Sequence, residues 1–422
     1  MLGRRRWLLL AGGALSIALG CTRASRPERV GQPSHPYVIL VSFDAFRHDY
    51  IDRFHPAAFE EIAARGVRAS ALIPSFPSKT FPNHYTLVTG LYPGHHGIVA
   101  NAFYDPARRE WYRPGAGQTV RDSTWYGGEP IWVTAERHGV KSGVYFWPGS
   151  EAAIQGIRPS YVAAYDGTVP NANRVNSAIA WLRKPAHDRP HLVLLYFSEV
   201  DDTTHKYGPN TSHSADVVAS VDRTVRQLLD SIAALPFADS VNIVIVSDHG
   251  MAQIQPEQVI SVTDLLARGG VDTTRMEFGE NGPTMSLWFG GDTARVRHAR
   301  GVLDASMSHA HAYARSETPA RWHVRDNPRA GDLLLVADEG YVLQRRGTDR
   351  PPSAGVHGYD PAQRDMQGIF LAAGPNVKRI GTIPAFENVH VYPFLVALLA
   401  LDRGPAVDGN LGALSTALQR RR

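Results

Sequence analysis

Cysteine is almost absent from this 422-residue chain, which contains one, Cys21. A single cysteine excludes an internal disulfide, so stability has to come from a packed core and from bound metal. The excess of positive over negative charge is small as well: the net charge is +4, and part of it comes from arginines at the two ends. We find no basic stripe, so duplex nucleic acid is not expected as a partner.

A long apolar run is also missing. The run after Arg4-Arg5-Arg6 ends near Gly20, is too short for a comfortable membrane span, and is typical of an export signal. Cys21 ends this run in a segment, Ala18-Leu19-Gly20-Cys21, that resembles a bacterial lipoprotein cleavage site, and the paired arginines resemble a twin-arginine signal. We predict a signal peptide over 1–21 and an exported protein, periplasmic or lipid-anchored to the bacterial envelope through Cys21.

The remaining composition is that of an ordinary globular protein, with 43% hydrophobic and 20% charged residues. Residues 22–36 are polar and rich in proline, which predicts a linker. No internal repeat and no sharp change of composition divides the rest. We therefore predict one catalytic domain over 37–402 and a surface tail over 403–422.

Short, nearly continuous apolar runs predict strands that are buried on both faces of a parallel sheet. They cover 37–43, 192–197, 241–246 and 333–336. Helical patterns lie between them, at 59–64, 173–182, 214–235 and 391–401. This alternation predicts an α/β fold with a mostly parallel central sheet and helices on both faces.

Three of these apolar runs lead into an aspartate: Asp44, Asp201 and Asp248. The carboxyl ends of parallel strands open onto the crevice where ligands bind in such folds. One aspartate after a strand is more often a helix cap or a turn residue. Three of them, two with a histidine nearby, favour a site.

The histidines near these aspartates have the spacing of metal ligands. His205 follows Asp201 by four residues, so one helical turn would bring both side chains to one side. His249 directly follows Asp248 before a glycine, and His357 lies in a glycine-flanked loop. Each of these segments alone is weak evidence for a metal site. Together they supply two sets of imidazole and carboxylate ligands, which are ligands that zinc accepts.

Thr80 is the candidate nucleophile. It precedes Phe81 and Pro82 at the predicted start of an amphipathic helix that would continue through Leu87, where free backbone N–H groups favour an anion. From the segment alone, a simple helix cap is the favoured interpretation. A threonine hydroxyl becomes an effective nucleophile when a bound divalent metal assists its deprotonation.

Eight motifs, in order along the chain, resemble those of the nucleotide pyrophosphatase/phosphodiesterase family of the alkaline phosphatase superfamily, and of its compact bacterial members in particular. They are Phe-Asp-Ala-Phe-Arg (43–47), Lys-Thr-Phe-Pro-Asn-His-Tyr (79–85), Thr-Gly-Leu-Tyr-Pro-Gly-His-His-Gly-Ile (89–98), Trp-Pro-Gly-Ser (147–150), Tyr-Asp-Gly-Thr-Val-Pro (165–170), Asp-Asp-Thr-Thr-His-Lys-Tyr-Gly-Pro (201–209), Ser-Asp-His-Gly-Met (247–251) and Gly-Val-His-Gly-Tyr (355–359). The resemblance implies an alkaline-phosphatase-like fold.

The resemblance also implies roles for individual residues. Two Zn²⁺ per chain are expected, the first held by Asp44, Asp248, His249 and the nucleophile Thr80, the second by Asp201, His205 and His357. Asn101 is expected to contact a phosphoryl oxygen beside the Phe81 N–H. Phe81 and Tyr165 are expected to stack on a nucleobase, with Trp147 in the same wall. Glu151 stands where nucleotide-selective relatives often have aspartate.

The implied function is hydrolysis of nucleotide phosphodiester or phosphoanhydride bonds through a covalent threonine intermediate, with release of a nucleoside monophosphate. The main alternatives keep the metals and change the substrate: a phospholipid or choline-headgroup phosphodiesterase, or a phosphonate or monoester hydrolase. A monoesterase would need a cation beside the phosphoryl group, and Lys79 is the nearest in sequence. A non-catalytic exported binding protein is disfavoured because every ligand and the nucleophile are present.

Overall fold

A central sheet of eight strands organises the protein, whose computed structural model describes residues 35–255, 257–346 and 352–419. The strands are β1 Tyr37–Phe43, β2 Val67–Ala69, β3 Leu72–Ile73, β4 Phe103–Asp105, β5 Glu110–Tyr112, β6 Ser142–Tyr145, β7 Tyr161–Ala163, β8 Leu192–Phe197, β9 Val241–Val246, β10 Ala252–Gln253, β11 Val259–Ser261, β12 Glu277–Phe278, β13 Thr284–Trp288, β14 Ala310–Ala314, β15 Leu333–Ala337, β16 Val342–Gln344, β17 Gly355–Val356, β18 Phe370–Ala373, β19 Gly381–Ile383 and β20 Phe386–Glu387. The helices are α1 Tyr50–Phe54, α2 Ala57–Arg65, α3 Thr80–Thr89, α4 Pro93–His96, α5 Ile131–Arg137, α6 Asn171–Leu182, α7 Glu199–Tyr207, α8 Ser212–Ala233, α9 Val262–Arg268, α10 Thr293–Ser306 and α11 Val391–Leu398.

The central sheet has the order β19-β2-β18-β9-β1-β8-β6-β7. All neighbouring pairs run parallel except those that involve β18, which is antiparallel to both β9 and β2. Leu40 of β1 stands opposite Leu194 on one side and Val244 on the other. Every residue of β1, β8 and β9 is buried, which explains why these strands are almost uninterrupted apolar runs.

Two groups of helices pack against this sheet and share its large core. Helices α2, α6 and α7 contact the long helix α8, while α3, α5 and α11 contact one another. Helix α8 buries a stripe that recurs every three or four residues, the pattern of an amphipathic helix on a sheet: Val217, Val218, Val221, Val225, Leu228, Leu229 and Ile232. The predicted α/β fold with a mostly parallel sheet is confirmed.

One predicted strand belongs to a different sheet. The run at 333–336 does form β15, but β15 lies in a four-stranded antiparallel sheet of order β12-β13-β15-β14 with a separate hydrophobic core. Leu335 pairs with Met285 on one side and Ala312 on the other. Its assignment to the parallel sheet was wrong, because a short apolar run does not reveal the direction of its neighbours.

The ends of the predicted elements are close to the observed ones. The strands at 37–43, 192–197 and 241–246 match, and the helices differ by a few residues. Helix α11 ends at Leu398 rather than 401, because Ala400 adopts a left-handed backbone with φ of 52°. The segment after 402, expected to be a surface tail, packs Leu414 and Ala417 into the large core.

Residues 1–34, which carry the predicted signal peptide, Cys21 and most of the predicted linker, lie outside the described residues. The residues from His35 onward form one compact unit. Within the described ranges, none of the helices has both the length and the apolar character that a membrane crossing requires.

Candidate active site

The carboxyl ends of three neighbouring parallel strands bring most of the predicted ligands together. Asp44 directly follows β1, and Asp248 and His249 follow β9. Strand β8 leads into α7, where Asp201 and His205 lie one helical turn apart. Since β9, β1 and β8 are adjacent in the sheet, their ends open onto the same crevice.

The last histidine reaches the crevice through a small sheet of its own. Strand β17 pairs with β10, which follows the Asp248–Gly250 turn, so that Val356 stands opposite Ala252. His357 comes next, and its ring stacks on that of His249 with centroids 3.7 Å apart and planes 11° apart. The turn needs glycine at 250, because a Cβ there would lie 2.1 Å from a carbonyl oxygen.

Two adjoining clusters result. In the first, His249 Nε2 lies 3.0 Å from Asp248 Oδ2, 3.4 Å from Asp44 Oδ1 and 3.3 Å from Thr80 Oγ1. In the second, Asp201 Oδ1 lies 3.3 Å from His205 Nε2 and 3.7 Å from His357 Nε2. Asp201 is also close to Asp44 and His249, so the clusters form one continuous centre.

All three histidines point the same nitrogen toward the crevice. Nδ1 of each ring lies within hydrogen-bond distance of a backbone carbonyl: that of Gly355 for His205 at 2.7 Å, Gly250 for His249 at 2.8 Å, and Ser78 for His357 at 2.9 Å. A carbonyl only accepts, so each Nδ1 carries a proton, and in the neutral ring each Nε2 keeps a free lone pair. Metal-binding histidines have this arrangement.

Three carboxylate oxygens in the crevice are buried and lack any hydrogen-bond partner. They are Asp44 Oδ1, Asp201 Oδ1 and Asp248 Oδ2. The other oxygens of two of these groups are satisfied: the Tyr196 hydroxyl donates to Asp44 Oδ2 at 2.6 Å and the Ala45 N–H donates to Asp248 Oδ1 at 3.2 Å. An unpartnered buried carboxylate oxygen is costly unless a cation meets it. The donor set therefore fits bound divalent metal.

The electrostatics of the crevice agree with this need for positive charge. Burial, together with the neighbouring carboxylates of Asp248 and Asp201, raises the pKa of Asp44 well above its ordinary value. Burial would also raise the pKa of Asp248, but His249 and His84 hold it well below. Burial and the adjacent His249 lower the pKa of His357. A cation relieves the carboxylate repulsion and accepts neutral imidazole as a ligand.

Thr80 is the first residue of α3, and the loop before it is fixed by one buried amide. The Asn83 side chain donates to the carbonyls of Pro77 and Lys79 and accepts from the Ser75 N–H, at 2.7 to 2.9 Å. A second buried amide, Asn388, donates to Asn83 as well. Helix α3 is buried from Pro82 to Thr89, so the expectation of an amphipathic helix was wrong at this position.

Asn101 lies beside the start of the same helix. Its Oδ1 accepts the Phe81 N–H at 2.8 Å, which leaves its Nδ2 group to donate elsewhere. The Asn101 backbone N–H donates to Glu280 Oε1 at 3.2 Å, and this oxygen also lies 2.6 Å from Lys79 Nζ. Lys79 therefore has a carboxylate partner.

A cavity of about 440 Å³ opens next to Thr80. Phe81, Trp147 and Tyr165 all line it, as does Tyr196 at its inner end. Tyr165 is 52% exposed, whereas Trp147 is buried and donates its indole N–H to the His84 carbonyl at 3.0 Å. The cavity combines aromatic faces with an open mouth, a form that suits a flat ring.

Several residues of the crevice were missed by the sequence interpretation. His84 entered the sequence analysis only as part of a motif; its Nδ1 lies 3.3 Å from Asp248 Oδ2, and its Nε2 lies 2.9 Å from the Ser42 hydroxyl. Tyr196 looked like an ordinary strand residue, and only its position one before the last residue of β8 hinted at the crevice. Glu280 lies more than 170 residues from Asn101 and gave no signal.

Comparison with known proteins gives a consistent result. Residues 38–360 match the family described as type I phosphodiesterase / nucleotide pyrophosphatase. The Xenopus laevis bis(5'-adenosyl)-triphosphatase enpp4 is 34% identical over 398 residues, which cover 94% of this chain and 84% of that protein. Human ectonucleotide pyrophosphatase/phosphodiesterase family member 1 is 31% identical over 94% of this chain, which spans 44% of that longer protein.

Solved structures agree in fold as well as sequence. Mouse ectonucleotide pyrophosphatase/phosphodiesterase 5, solved as an inactive threonine-to-alanine variant in complex with AMP, superposes with a TM-score of 0.85 at 31% identity. The match covers 91% of this chain and all of the other. The human form of the same protein gives the same TM-score. This chain belongs to the nucleotide pyrophosphatase/phosphodiesterase family of the alkaline phosphatase superfamily.

Proposed function

We propose that the protein hydrolyses nucleotide phosphodiester or phosphoanhydride bonds with two Zn²⁺ per chain and a covalent threonine intermediate, releasing a nucleoside monophosphate. The observation that carries this proposal is the set of three orphaned carboxylate oxygens and three free imidazole Nε2 atoms around one hydroxyl. No thiol contributes, and mixed carboxylate and imidazole ligation favours zinc over harder divalent ions.

We assign the first metal to Asp44, Asp248 and His249, with Thr80 as its exchangeable fourth partner, and the second to Asp201, His205 and His357. When bound, the two ions supply Lewis acidity at the attacking and the leaving oxygen of an in-line displacement. Gly250 and Gly355 supply the carbonyls that fix the rings of His249 and His205. These contacts keep the ligands in place before the substrate arrives.

Two residues of the chain then act on the substrate, and water completes the reaction. Thr80 Oγ1 loses its proton and attacks phosphorus, so an oxygen–phosphorus bond forms while the bond to the leaving group breaks and that group departs with a proton. Asn101 donates from Nδ2 to a non-bridging oxygen and is held in that orientation by the Phe81 N–H. Water then attacks the phosphoryl-threonine from the vacated side, which releases the product and restores the Thr80 hydroxyl.

The nucleotide part of the proposal depends on the aromatic cavity. Phe81 and Tyr165 supply faces on which a base can stack, and Trp147 supports the wall between them. A related mouse protein binds AMP and loses activity when a threonine becomes alanine, which supports both the nucleotide and the nucleophile. A phospholipid, choline-headgroup, phosphonate or monoester substrate is the alternative.

A substrate panel tests the proposal. Purified protein with added Zn²⁺ is offered a dinucleoside polyphosphate, a nucleotide diester, glycerophosphocholine and a plain monoester, and metal content is measured in parallel. We expect about two zinc ions per chain and fastest release of nucleoside monophosphate from the first two. Faster release of choline or of phosphate, or a protein without bound metal, contradicts the proposal.

The domain boundaries and the location of the protein are further parts of the proposal. We assign the catalytic domain to 37–402, with Leu414 and Ala417 of the following segment packed on its core. We assign export to a signal over 1–21, with the mature protein either periplasmic or lipid-anchored through Cys21. Expression of the full chain with radiolabelled palmitate, beside a Cys21→Ala variant, tests the anchor. Label that persists in the variant would refute it.

A further inference from the structure

A buried ion pair lies directly beside the proposed nucleophile. Lys79 precedes Thr80, and its side chain is only 6% exposed. Its Nζ lies 2.6 Å from Glu280 Oε1, and the Glu280 side chain is 27% exposed. Glu280 follows β12 of the small antiparallel sheet, so a residue from outside the central sheet contributes to this contact.

The two residues of the pair contact two segments of the proposed phosphoryl site. The oxygen of Glu280 that meets Lys79 also accepts the Asn101 backbone N–H at 3.2 Å. On the other side, the Lys79 chain lies against Gly358, where a Cβ would approach Lys79 Cε to 3.0 Å. Gly358 directly follows the proposed ligand His357. The ammonium group therefore lies between the Asn101 segment and the His357 segment.

A cation at this position matters because of the charge difference between substrates. A phosphodiester carries one negative charge around the phosphoryl group, whereas a phosphomonoester dianion carries two. An additional fixed cation favours the dianion, and a carboxylate beside that cation cancels the advantage. Lys79 alone would suit a monoesterase, but Lys79 with Glu280 contributes no net charge.

We propose that Glu280 is a specificity-determining residue, which makes the site selective for phosphodiesters by neutralising and restraining Lys79. This inference rests on the proposed function, because it assumes that the phosphoryl group is bound beside Thr80 and Asn101. Glu280 touches no reacting atom in this account and acts through Lys79.

The experiment compares kcat/KM for a nucleotide p-nitrophenyl diester with that for p-nitrophenyl phosphate in four proteins: wild type, Glu280→Gln, Lys79→Met, and the double variant. Glutamine keeps an oxygen that can accept the Asn101 N–H while removing the charge. We expect Glu280→Gln to raise the monoester-to-diester ratio by about tenfold. The double variant is expected to return close to the wild-type ratio, because the freed cation is gone.

Two results would overturn the inference. One is an unchanged or lower ratio in Glu280→Gln; the other is a double variant that keeps the raised ratio, since Lys79 would then not be the cause. Lys79→Met alone leaves the Glu280 carboxylate uncompensated, so it is expected to lower the ratio. The wild-type protein reports on the proposed function separately: if it lacks diesterase activity, the function fails before the variants are compared.

Controls separate this effect from general damage. Glu317→Gln removes one carboxylate from a surface pair with Arg300 and matches the change in net charge, so its ratio should stay at the wild-type value. Zinc content and thermal unfolding are measured for every variant. If Glu280→Gln does not fold, Glu280→Asp shortens the side chain, moves the carboxylate away from Lys79 and is expected to raise the ratio by a smaller factor; no rise there counts against the proposal.

Discussion

The crevice of aspartates and histidines and the aromatic cavity meet at Thr80 but are built in opposite ways. The crevice lies at the ends of buried strands, and Asp44, Asp248 and His249 are at most 1% exposed. The cavity is bounded by loops and by Tyr165, which is half exposed. In the crevice each histidine and two of the aspartates are oriented by a second contact, whereas the cavity wall at 114–121 carries glycines.

This difference separates two requirements of the proposed reaction. Bond cleavage depends on distances of a few tenths of an ångström, so its groups are held by the sheet and by buried hydrogen bonds. Recognition of a base by stacking tolerates small displacements, so an open pocket of loops suffices. Substitutions in the crevice should therefore change the rate or the metal affinity, and those in the cavity should change substrate binding.

The largest expected effect is that of Thr80→Ala. Without the hydroxyl no covalent intermediate forms, so kcat/KM for a nucleotide diester should fall by about 10³-fold or more. Zinc content should stay at or near the wild-type value, because the aspartate and histidine ligands remain. Thr80→Ser keeps a hydroxyl and should retain far more activity than alanine. Near-normal turnover in Thr80→Ala would remove the nucleophile from the scheme.

Tyr196→Phe tests whether the two regions are joined by a positioning contact. The Tyr196 hydroxyl donates to Asp44 Oδ2 while the residue also lines the cavity. Its loss leaves that oxygen without a partner, and zinc affinity should fall by about 10- to 100-fold, measured by competition with a chelator. Tyr161→Phe, which loses a hydroxyl bound to the Asp188 carbonyl, is the control. Equal affinities in both variants would mean that the contact does not orient Asp44.

Tyr165→Ala should affect the cavity alone. Loss of one stacking face costs about 1–3 kcal/mol, so KM for a nucleotide diester should rise roughly five- to hundredfold with a smaller change in kcat. Hydrolysis of methyl p-nitrophenyl phosphate, which has no base, should be almost unchanged. An equal loss with both substrates would place Tyr165 in the chemical step and weaken the separation of the two regions.

The smallest effect concerns His96, which is buried but belongs to neither region. It accepts the Ile98 N–H at Nδ1, and Nε2 lies 3.0 Å from the Thr86 hydroxyl. Burial lowers its pKa from 6.5 to about 3, so the folded state binds a proton less readily than the unfolded state. The free energy of unfolding should therefore decrease as pH falls below 6.5, by about 2 kcal/mol at pH 5.

Denaturant unfolding at pH 7.5 and pH 5 measures this change. His96→Gln cannot be protonated, so it should be less stable than wild type at pH 7.5 but should lose about 2 kcal/mol less on acidification. The same loss in both proteins would show that other groups cause the pH dependence.

The sequence predicted the parallel strands and the aspartates and histidines that converge on the crevice, but not the direction of every strand or the contacts that surround the site. Strand β1 could be predicted because a strand buried on both faces has to be apolar throughout. Asp44 is the first charged residue after this apolar run. The direction of β15 could not be read, since its leucines fit either kind of sheet. Glu280 and Tyr196 gave no signal because each acts through a partner that is distant along the chain.

The sequence by itself determined the family, the fold class and the residues able to hold metal, because strand burial and metal ligation each demand particular side chains at particular spacings. Tertiary structure alone decided which nitrogen of each histidine faces the crevice, which carboxylate oxygens lack a partner, and that Lys79 pairs with Glu280. Apart from the contact between His249 and the Gly250 carbonyl, these properties depend on distances between atoms more than 100 residues apart, such as His205 and the Gly355 carbonyl, and no local pattern encodes them.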